Sequence, residues 1–130
     1  QLKQQPDAVL INNSSILAFL PLVTNALYSA TKAAIHSYTL SQRFLLRDAG
    51  VKVIEISPPW VDTDLIYKSG DSRAMPLADF IQQTFEKLAT DSIEAIVDSV
   101  LPARANQGAN EHEMVNAFNQ SMVENPIPVA

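Results

Sequence analysis

Two short apolar runs on either side of a long helical stretch dominate the first half of the chain. Residues 7–11 form a continuous apolar run, and residues 51–56 form a second run that is rich in β-branched side chains. Both runs predict β-strands, and the first is typical of a strand buried on both faces of a parallel sheet. Residues 16–23 are also apolar, but Pro21 interrupts them, so they predict a loop that packs across the end of the sheet. Three of its side chains could instead line a substrate pocket: Leu17, Phe19 and Leu22.

Between the two strands, residues 25–48 predict one long α-helix. Thr24 or Asn25 can cap its start, and Gly50 stands where the residue just past a helix end is expected. Several alanines in this stretch permit close approach to a neighbouring element, and bulky apolar residues follow them. Strand, helix and strand together predict a βαβ unit with a right-handed crossover.

The second half of the chain predicts three further helices after a loop. Residues 65–75 contain Gly70, Asp71 and Ser72 and predict a mobile loop. The first helix is expected from Pro76, since proline suits a first helical position. Its apolar stripe comprises Leu77, Phe80, Ile81, Phe85 and Leu88.

Two capping-box patterns predict the remaining helices. Asp91 with Glu94 is expected to open one helix that Pro102 ends, and Asn110 with Glu113 is expected to open the last. Their inward-facing residues would be Ile93, Ile96, Val97, Val100 and Leu101 in the former, and Met114, Phe118 and Met122 in the latter. We therefore expect one domain over residues 1–124 and a loose tail over residues 125–130.

Composition narrows the range of partners. The chain has 130 residues, of which 47% are hydrophobic and 18% charged, as expected for one globular domain. Its net charge of −5 provides no basic stripe for phosphates, so we expect no nucleic-acid partner. The apolar runs are too short to span a membrane, so no membrane partner is expected. The absence of cysteine excludes disulfides and fits a cytoplasmic protein.

Candidate chemistry is concentrated in one stretch. Tyr28 follows Ser15 by thirteen residues, and Lys32 follows Tyr28 by four. Residues four apart on a helix share one face, and an ammonium group beside a phenol lowers the phenol pKa toward neutrality. Such a tyrosine can donate or accept a proton, while Ser15 at a strand end could hold the same substrate oxygen. The pattern predicts acid–base chemistry on a carbonyl or an alcohol.

At these positions the sequence resembles the short-chain dehydrogenase/reductase family. The family pattern of Asn-x-Ser-Ser, Tyr-x-x-x-Lys and a turn before Val/Ile-x-Thr is found at residues 12–15, 28–32 and 58–63. The resemblance covers roughly residues 7–66, and the segments after residue 57 look most like the DltE-like branch. Pro102 departs from that branch.

The resemblance implies a function and roles for individual residues. The parent enzyme would be an NAD- or NADP-dependent oxidoreductase that acts on a small carbonyl or alcohol substrate. Tyr28 would transfer the proton, Lys32 would hold the nicotinamide ribose, and Ser15 would position the substrate oxygen. The expected cofactor-binding residues are Tyr28, Lys32, Pro58, Pro59, Val61 and Thr63. Pro59 replaces the usual glycine and removes a backbone donor.

Other polar residues have simpler interpretations. Ser14 is a rival to Ser15 at the wrong spacing, and Ser15 itself could be a strand-end cap. His36 is expected to be partly exposed or at an interface, and His112 to lie on the surface. Two carboxylates, Asp62 and Asp64, flank Thr63, but we expect them to be solvated loop residues and predict no metal site.

The family's glycine-rich phosphate-binding turn has no counterpart, because Gly50, Gly70 and Gly108 are isolated. Its relay asparagine and the residue that selects NAD or NADP are also missing. The sequence thus predicts an α/β fragment, the C-terminal half of a Rossmann-type doubly wound sheet. A two-stranded sheet with an open edge is marginal, so stability would need the missing half, a homo-oligomer paired through residues 25–48, or repacking. The alternative function is an inactive fragment that serves as a packing or dimerisation module.

Overall fold

A computed structural model of the protein describes residues 1–65 and 68–128. The first half is the predicted βαβ unit: strand β1 (Val9–Asn13), helix α1 (Ala26–Leu46) and strand β2 (Lys52–Ile56). The strands pair in parallel, with Val9 opposite Lys52 and Asn13 opposite Ile56. This part of the prediction is confirmed.

Both ends of α1 follow from local sequence. A 3-10 turn, Val23–Asn25, leads into the helix, and Asn25 occupies the N-cap position without a side-chain capping bond. A second 3-10 turn ends at Gly50, whose φ of 67° is left-handed, a conformation that glycine adopts without the steric cost of a Cβ.

The remaining elements are short strands and three helices. Strand β3 (Val61–Asp62) pairs in parallel with β4 (Met75–Pro76), and helix α2 (Leu77–Leu88) follows directly. Strand β5 (Glu94–Ala95), helix α3 (Leu101–Arg104) and helix α4 (Glu111–Glu124) complete the chain. Helix α2 begins one residue later than predicted, because Pro76 is its N-cap. Asn110 is the N-cap of α4, again without a side-chain capping bond.

The helix predicted from Asp91 to Pro102 is wrong. Strand β5 occupies its first turn and pairs with β2, so the main sheet has three strands in the order β1-β2-β5 instead of two. Pro102 lies in the first turn of α3, where its missing N–H costs no hydrogen bond, and therefore starts a helix instead of ending one.

Strand β1 is partly buried on one face and exposed on the other, contrary to the prediction that both faces are buried. Val9 and Ile11 are each 47% exposed, whereas the Asn12 side chain points to α1 and donates to Thr39 and Gln42. Helix α1 packs against β1 and β2 on the face that carries the Asn12 side chain. Among the described residues, no strand pairs with the other edge of β1, so its edge is open as expected.

The main apolar cluster lies under the loop that follows β1. Its buried members are Ile16, Phe19, Leu20 and Ala103, and Met114 and Phe118 of α4 pack against them. The alternative interpretation of Phe19 and Leu22 as open pocket walls is wrong, because both are almost fully buried. The packing interpretation of this loop is confirmed.

The predicted stripe on α2 does not form a buried face. Leu77, Ile81 and Phe85 are 45%, 46% and 67% exposed. Thr84 is instead the residue of α2 that is buried. In the described part of the chain, no helix is long and apolar enough to cross a membrane.

Candidate active site

Ser15 lies at the carboxyl end of β1, where the chain turns from the strand into a 3-10 helix (Ile16–Ala18). Its extended backbone makes it the N-cap of that turn, and its Oγ accepts a hydrogen bond from the Leu17 N–H at 3.1 Å. The next amide, of Ile16, donates to the Pro58 carbonyl at 2.9 Å and ties this end to the segment after β2. Ser15 is therefore both a cap and a fixed hydroxyl at the end of the sheet.

Tyr28 and Lys32 lie on successive turns at the start of α1. The Tyr28 side chain is about half exposed, and the Lys32 Nζ lies 5.5 Å from the centroid of its ring. The same ammonium group donates to the Asn13 carbonyl at 3.1 Å. Lys32 thereby connects the helix to the end of β1, two residues before Ser15.

These contacts bring the three candidate residues to one end of the sheet. Helix α1 packs closely against the 3-10 turn that Ser15 caps. Within the described ranges, no hydrogen bond joins Ser15 directly to Tyr28 or Lys32, so the serine hydroxyl and the phenol remain separate polar groups.

The segment after β2 forms a second part of this end of the molecule. Val61 pairs with Met75, and the Thr63 Oγ1 accepts weakly from the Leu65 amide at 3.4 Å. An open groove of about 660 Å³ lies beside Thr63, with Lys68, Ala74 and Leu77 also on its walls. Neither Ser15, Tyr28 nor Lys32 lines this groove.

Asp62 organises the loop around that groove. Its Oδ1 accepts hydrogen bonds from the Ser69 amide and hydroxyl and from the Gly70 amide, at 2.8, 3.2 and 3.3 Å. Desolvation raises the pKa of Asp62, but these hydrogen bonds outweigh it and the pKa lies below the ordinary value. The prediction of a merely solvated carboxylate is therefore wrong for Asp62.

The predicted mobile loop and loose tail are joined to each other. Ile66 and Tyr67 of the loop lie outside the described residues, as do the last two residues of the tail. Arg73 donates to the carbonyls of Asn125 and Pro126 and forms an ion pair with Asp71 at 2.7 Å. Hydrogen bonds from Arg73 lower the pKa of Asp71 to about 2. Two residues of the predicted tail, Asn125 and Pro126, thus contact the loop through Arg73.

The described residues contain no group of His, Asp or Glu side chains that could hold a metal ion. His112 is exposed on α4 as predicted.

A buried polar cluster lies directly behind Ser15, and sequence reasoning missed it. We call Ser14, His36, Glu55 and Ser57 the Glu55 cluster. The Glu55 Oε1 accepts from the Ser14 Oγ at 2.6 Å, and its Oε2 lies 2.9 Å from the His36 Nδ1. Ser57 lies 2.8 Å from Ser14. All four residues are buried, and Glu55 is fully inaccessible to solvent.

The prediction of a partly exposed or interface His36 is therefore wrong. The His36 ring is 8% exposed and meets Phe19 edge to face at 4.6 Å between centroids. One signal could have revealed it: Glu55 is the single carboxylate in the apolar run of β2. A carboxylate at a buried strand position requires hydrogen-bond partners.

The ion pair between Arg104 and Glu94 borders this cluster. Arg104 makes two hydrogen bonds to the Glu94 carboxylate, at 2.8 and 3.0 Å, and its guanidinium stacks 4.7 Å from the Phe19 centroid. The hydrogen bonds from Arg104 lower the pKa of Glu94, and the same bonds raise the pKa of Arg104. Both groups are held in their charged forms.

The profile described as short chain dehydrogenase matches residues 1–74, which is more than half of the 130-residue chain. The chain belongs to the short-chain dehydrogenase family.

Curated relatives agree with this assignment. The uncharacterized oxidoreductase DltE of Bacillus subtilis (strain 168) is 40% identical over 93 residues, which cover 72% of this chain and 37% of that protein. An uncharacterized oxidoreductase of Staphylococcus epidermidis is 48% identical over 64 residues, or 49% of this chain and 28% of the relative. The expected likeness to the DltE-like branch is confirmed, and the match spans well under half of each relative.

Solved short-chain dehydrogenases share the fold. A short-chain dehydrogenase of Burkholderia cenocepacia J2315 in complex with NADP gives a TM-score of 0.68 at 23% identity and covers 98% of this chain and 50% of its own. The Sphingobium yanoikuyae enzyme in complex with NADPH gives 0.64 at 16% identity, over 94% of this chain and 47% of its own. The structure is therefore part of a Rossmann fold, as predicted, and spans about half of these chains.

Proposed function

We propose that this short-chain dehydrogenase chain carries the acid–base part of an NAD(P)-dependent oxidoreductase that acts on a small carbonyl or alcohol. The observation that carries the proposal is the position of Tyr28 and Lys32 on α1, beside the strand end that bears Ser15. The Lys32 ammonium group is anchored on the Asn13 carbonyl at 3.1 Å, which holds the helix against that end.

In the reductive direction, each residue would have a distinct task. The Ser15 hydroxyl would donate a hydrogen bond to the substrate carbonyl oxygen and hold it near the phenol. Tyr28 would donate its hydroxyl proton to that oxygen, and the nearby Lys32 ammonium would stabilise the phenolate that remains. A bound nicotinamide would supply the hydride for reduction or accept it in oxidation.

The residues present fit one end of such a cofactor better than the other. Lys32 and Tyr28 provide a cation and a hydroxyl for ribose hydroxyls. Pro58, Pro59, Val61 and Thr63 would contact the nicotinamide from the segment after β2, and Thr63 lines the open groove. A pyrophosphate usually binds at a glycine-rich turn before a helix, whereas the three glycines of this chain are far apart. We therefore propose that this chain contributes the nicotinamide end of the site.

A fluorescence titration tests the proposal. Trp60 is the single tryptophan and lies one residue before Val61. We expect NADPH or NADH to quench its emission saturably at micromolar concentration and to lose affinity about tenfold in Tyr28→Phe/Lys32→Ala, since two contacts are removed.

The matched control is Tyr38→Phe/Lys3→Ala, because Tyr38 is an exposed tyrosine on the same helix and Lys3 lies outside the site. It should bind like the parent chain. Equal affinity for the site and control variants, or no saturable quenching in the parent, would contradict the proposal. Either result would favour the alternative of an inactive packing module.

We also propose that α1 pairs two copies of the chain. Its outer surface carries large apolar side chains that a solvent-exposed helix rarely keeps together. They are Leu27, Tyr38, Phe44 and Leu45, which are 80%, 60%, 66% and 69% exposed. A second copy packed along residues 25–48 would cover them.

A further inference from the structure

The Glu55 cluster contains a titratable pair that no step of the proposed mechanism uses. Burying a carboxylate costs several kcal/mol before its partners compensate, and an apolar side chain at such a position is often at least as stable. The cluster is therefore poorly explained as a source of stability. Satisfied buried networks do fix the relative geometry of the elements they join.

The elements joined here are those that carry the proposed catalytic residues. Ser14 directly follows β1 and precedes Ser15, and its amide donates to the Ile56 carbonyl of β2 at 2.9 Å. His36 follows Lys32 by one turn of α1 and Tyr28 by two. Glu55 contacts both Ser14 and His36, so a single carboxylate links the serine end of the sheet to the catalytic face of the helix.

Ser57 extends the link to the third part of the site. Its Oγ lies 2.8 Å from the Ser14 Oγ and 3.5 Å from the Glu55 Oε1. The next residue, Pro58, accepts the Ile16 amide through its carbonyl. Glu55 therefore also contacts the end of β2, directly before the segment from Pro58 that is proposed to face the cofactor.

A hydrolytic function for these side chains does not fit their arrangement. In serine hydrolases the histidine lies between the nucleophile and the carboxylate, whereas here the carboxylate lies between Ser14 and His36. Ser14 is only 2% exposed and has no path to a substrate.

We propose that Glu55 is a positioning residue that sets Ser15 relative to Tyr28 and Lys32 through Ser14 and His36. The inference rests on the proposed function for its catalytic meaning. The geometric part stands on the contacts of the Glu55 cluster alone and can be tested without turnover.

Four variants of the full chain separate positioning from stability. Glu55→Ala removes the carboxylate, and Glu55→Gln keeps its size, an acceptor for Ser14 and a polar contact with His36. Thr39→Val is the matched control, because Thr39 is equally buried and its hydroxyl bonds Asn12 across the same helix–strand contact without touching Glu55. His36→Asn keeps a nitrogen donor near the Nδ1 position.

The primary readout is the backbone amide spectrum of each variant by NMR, together with its melting temperature. We expect Glu55→Ala to shift the resonances of Ser15, Tyr28 and Lys32 together, and Glu55→Gln to restore most of them. Thr39→Val should leave these three resonances in place even at an equal loss of melting temperature. His36→Asn should shift them less than Glu55→Ala.

Unchanged resonances in Glu55→Ala, or equal shifts in Thr39→Val, would overturn the positioning role. If Glu55→Ala does not fold, Glu55→Gln and His36→Asn are judged by the same criterion, with small joint shifts of the three resonances expected. Unfolding of all three would overturn the role too, since the cluster would then determine the fold itself.

Turnover with NADPH and a panel of small aldehydes and ketones gives the second readout. We expect Glu55→Ala to lower kcat by up to about 100-fold, the scale expected for a displacement near 1 Å. NADPH affinity should change less than about twofold, because Lys32 and the groove remain. A parent chain with no turnover but with the expected spectral shifts would contradict the proposed function and leave the geometric inference supported.

Discussion

Individual side chains fix loops of this chain by hydrogen-bonding to backbone groups outside the helices and strands. Asn119 of α4 is the clearest case, because it reaches back nearly one hundred positions in sequence. Its Oδ1 accepts from the Val23 amide at 2.7 Å, and its Nδ2 donates to the Pro21 carbonyl at 2.9 Å. It thereby fixes the approach to α1 just before Tyr28.

Replacing Asn119 with alanine should therefore destabilise the chain. The Val23 amide and the Pro21 carbonyl would each lose a part-buried hydrogen bond, and two such bonds contribute on the order of 1–3 kcal/mol together. Thermal or urea unfolding measures the change, and Asn116→Ala is the control because Asn116 is exposed on the same helix. Equal stability of the two variants would show that the loop does not depend on this side chain.

Residue-scale contacts set the limit of what the sequence could predict about the site. The positions of Ser15, Tyr28 and Lys32 on a strand end and a helix follow from spacing alone. The Glu55 cluster could not be predicted in this way, because its members lie on β2, on α1 and just after two strands. They are up to 43 positions apart in sequence. Spacing rules relate residues within one element of secondary structure. The contacts of the Glu55 cluster join different elements and are visible only in the three-dimensional structure.

At the level of elements, the βαβ unit was predicted correctly, whereas the segment over residues 91–101 was assigned to the wrong type of element. Residues 25–48 have enough turns for helical periodicity to be unambiguous. Residues 91–101 contain β-branched residues and a capping-box pattern, and a run that short fits a strand or a helix equally well. The Ile93 carbonyl accepts from the Glu55 amide, so pairing with β2 decided the outcome.

The open edge of β1 gives a prediction for amide exchange. Amides of a strand point alternately to its two neighbours, and the Ser14 amide bonds β2. The amide of Asn12 should therefore point to β2 and that of Ile11 to the open edge. We expect hydrogen–deuterium exchange by NMR to be at least tenfold faster at Ile11 than at Asn12.

Comparable protection of the two amides would mean that another strand covers the edge. Glu55, in the central strand β2, provides the internal standard for a fully protected position. It is 0% exposed, and its amide donates to the Ile93 carbonyl at 3.0 Å.

Over the described part of the whole molecule, few large apolar side chains are buried and many are exposed. Its core is the cluster under the β1 loop together with the buried residues of β2 and β5, while large side chains of α1 and α2 face solvent. A surface of this kind favours association. The chain also spans about half of the solved short-chain dehydrogenases that it matches.

We expect the melting temperature to rise with protein concentration, because association stabilises the folded state. Leu45→Lys should abolish the rise and yield a monomer in sedimentation experiments, since Leu45 lies on the proposed pairing surface of α1. The control is Val123→Lys, a change at an equally exposed apolar residue of α4. A parent chain that unfolds cooperatively as a monomer at every concentration would contradict both the pairing and the predicted need for a partner.

Glu55 and Glu94 are opposite each other in the register of β2 and β5, so two carboxylates share one face of the sheet. Each has its own cationic or proton-sharing partner, His36 for the first and Arg104 for the second, and Phe19 lies between those partners. We expect substitutions at these five positions to affect stability in a coupled way, because the five side chains contact one another. During divergence, loss of any one would be tolerated only with a compensating change in another, so these positions should covary among relatives that keep the same sheet.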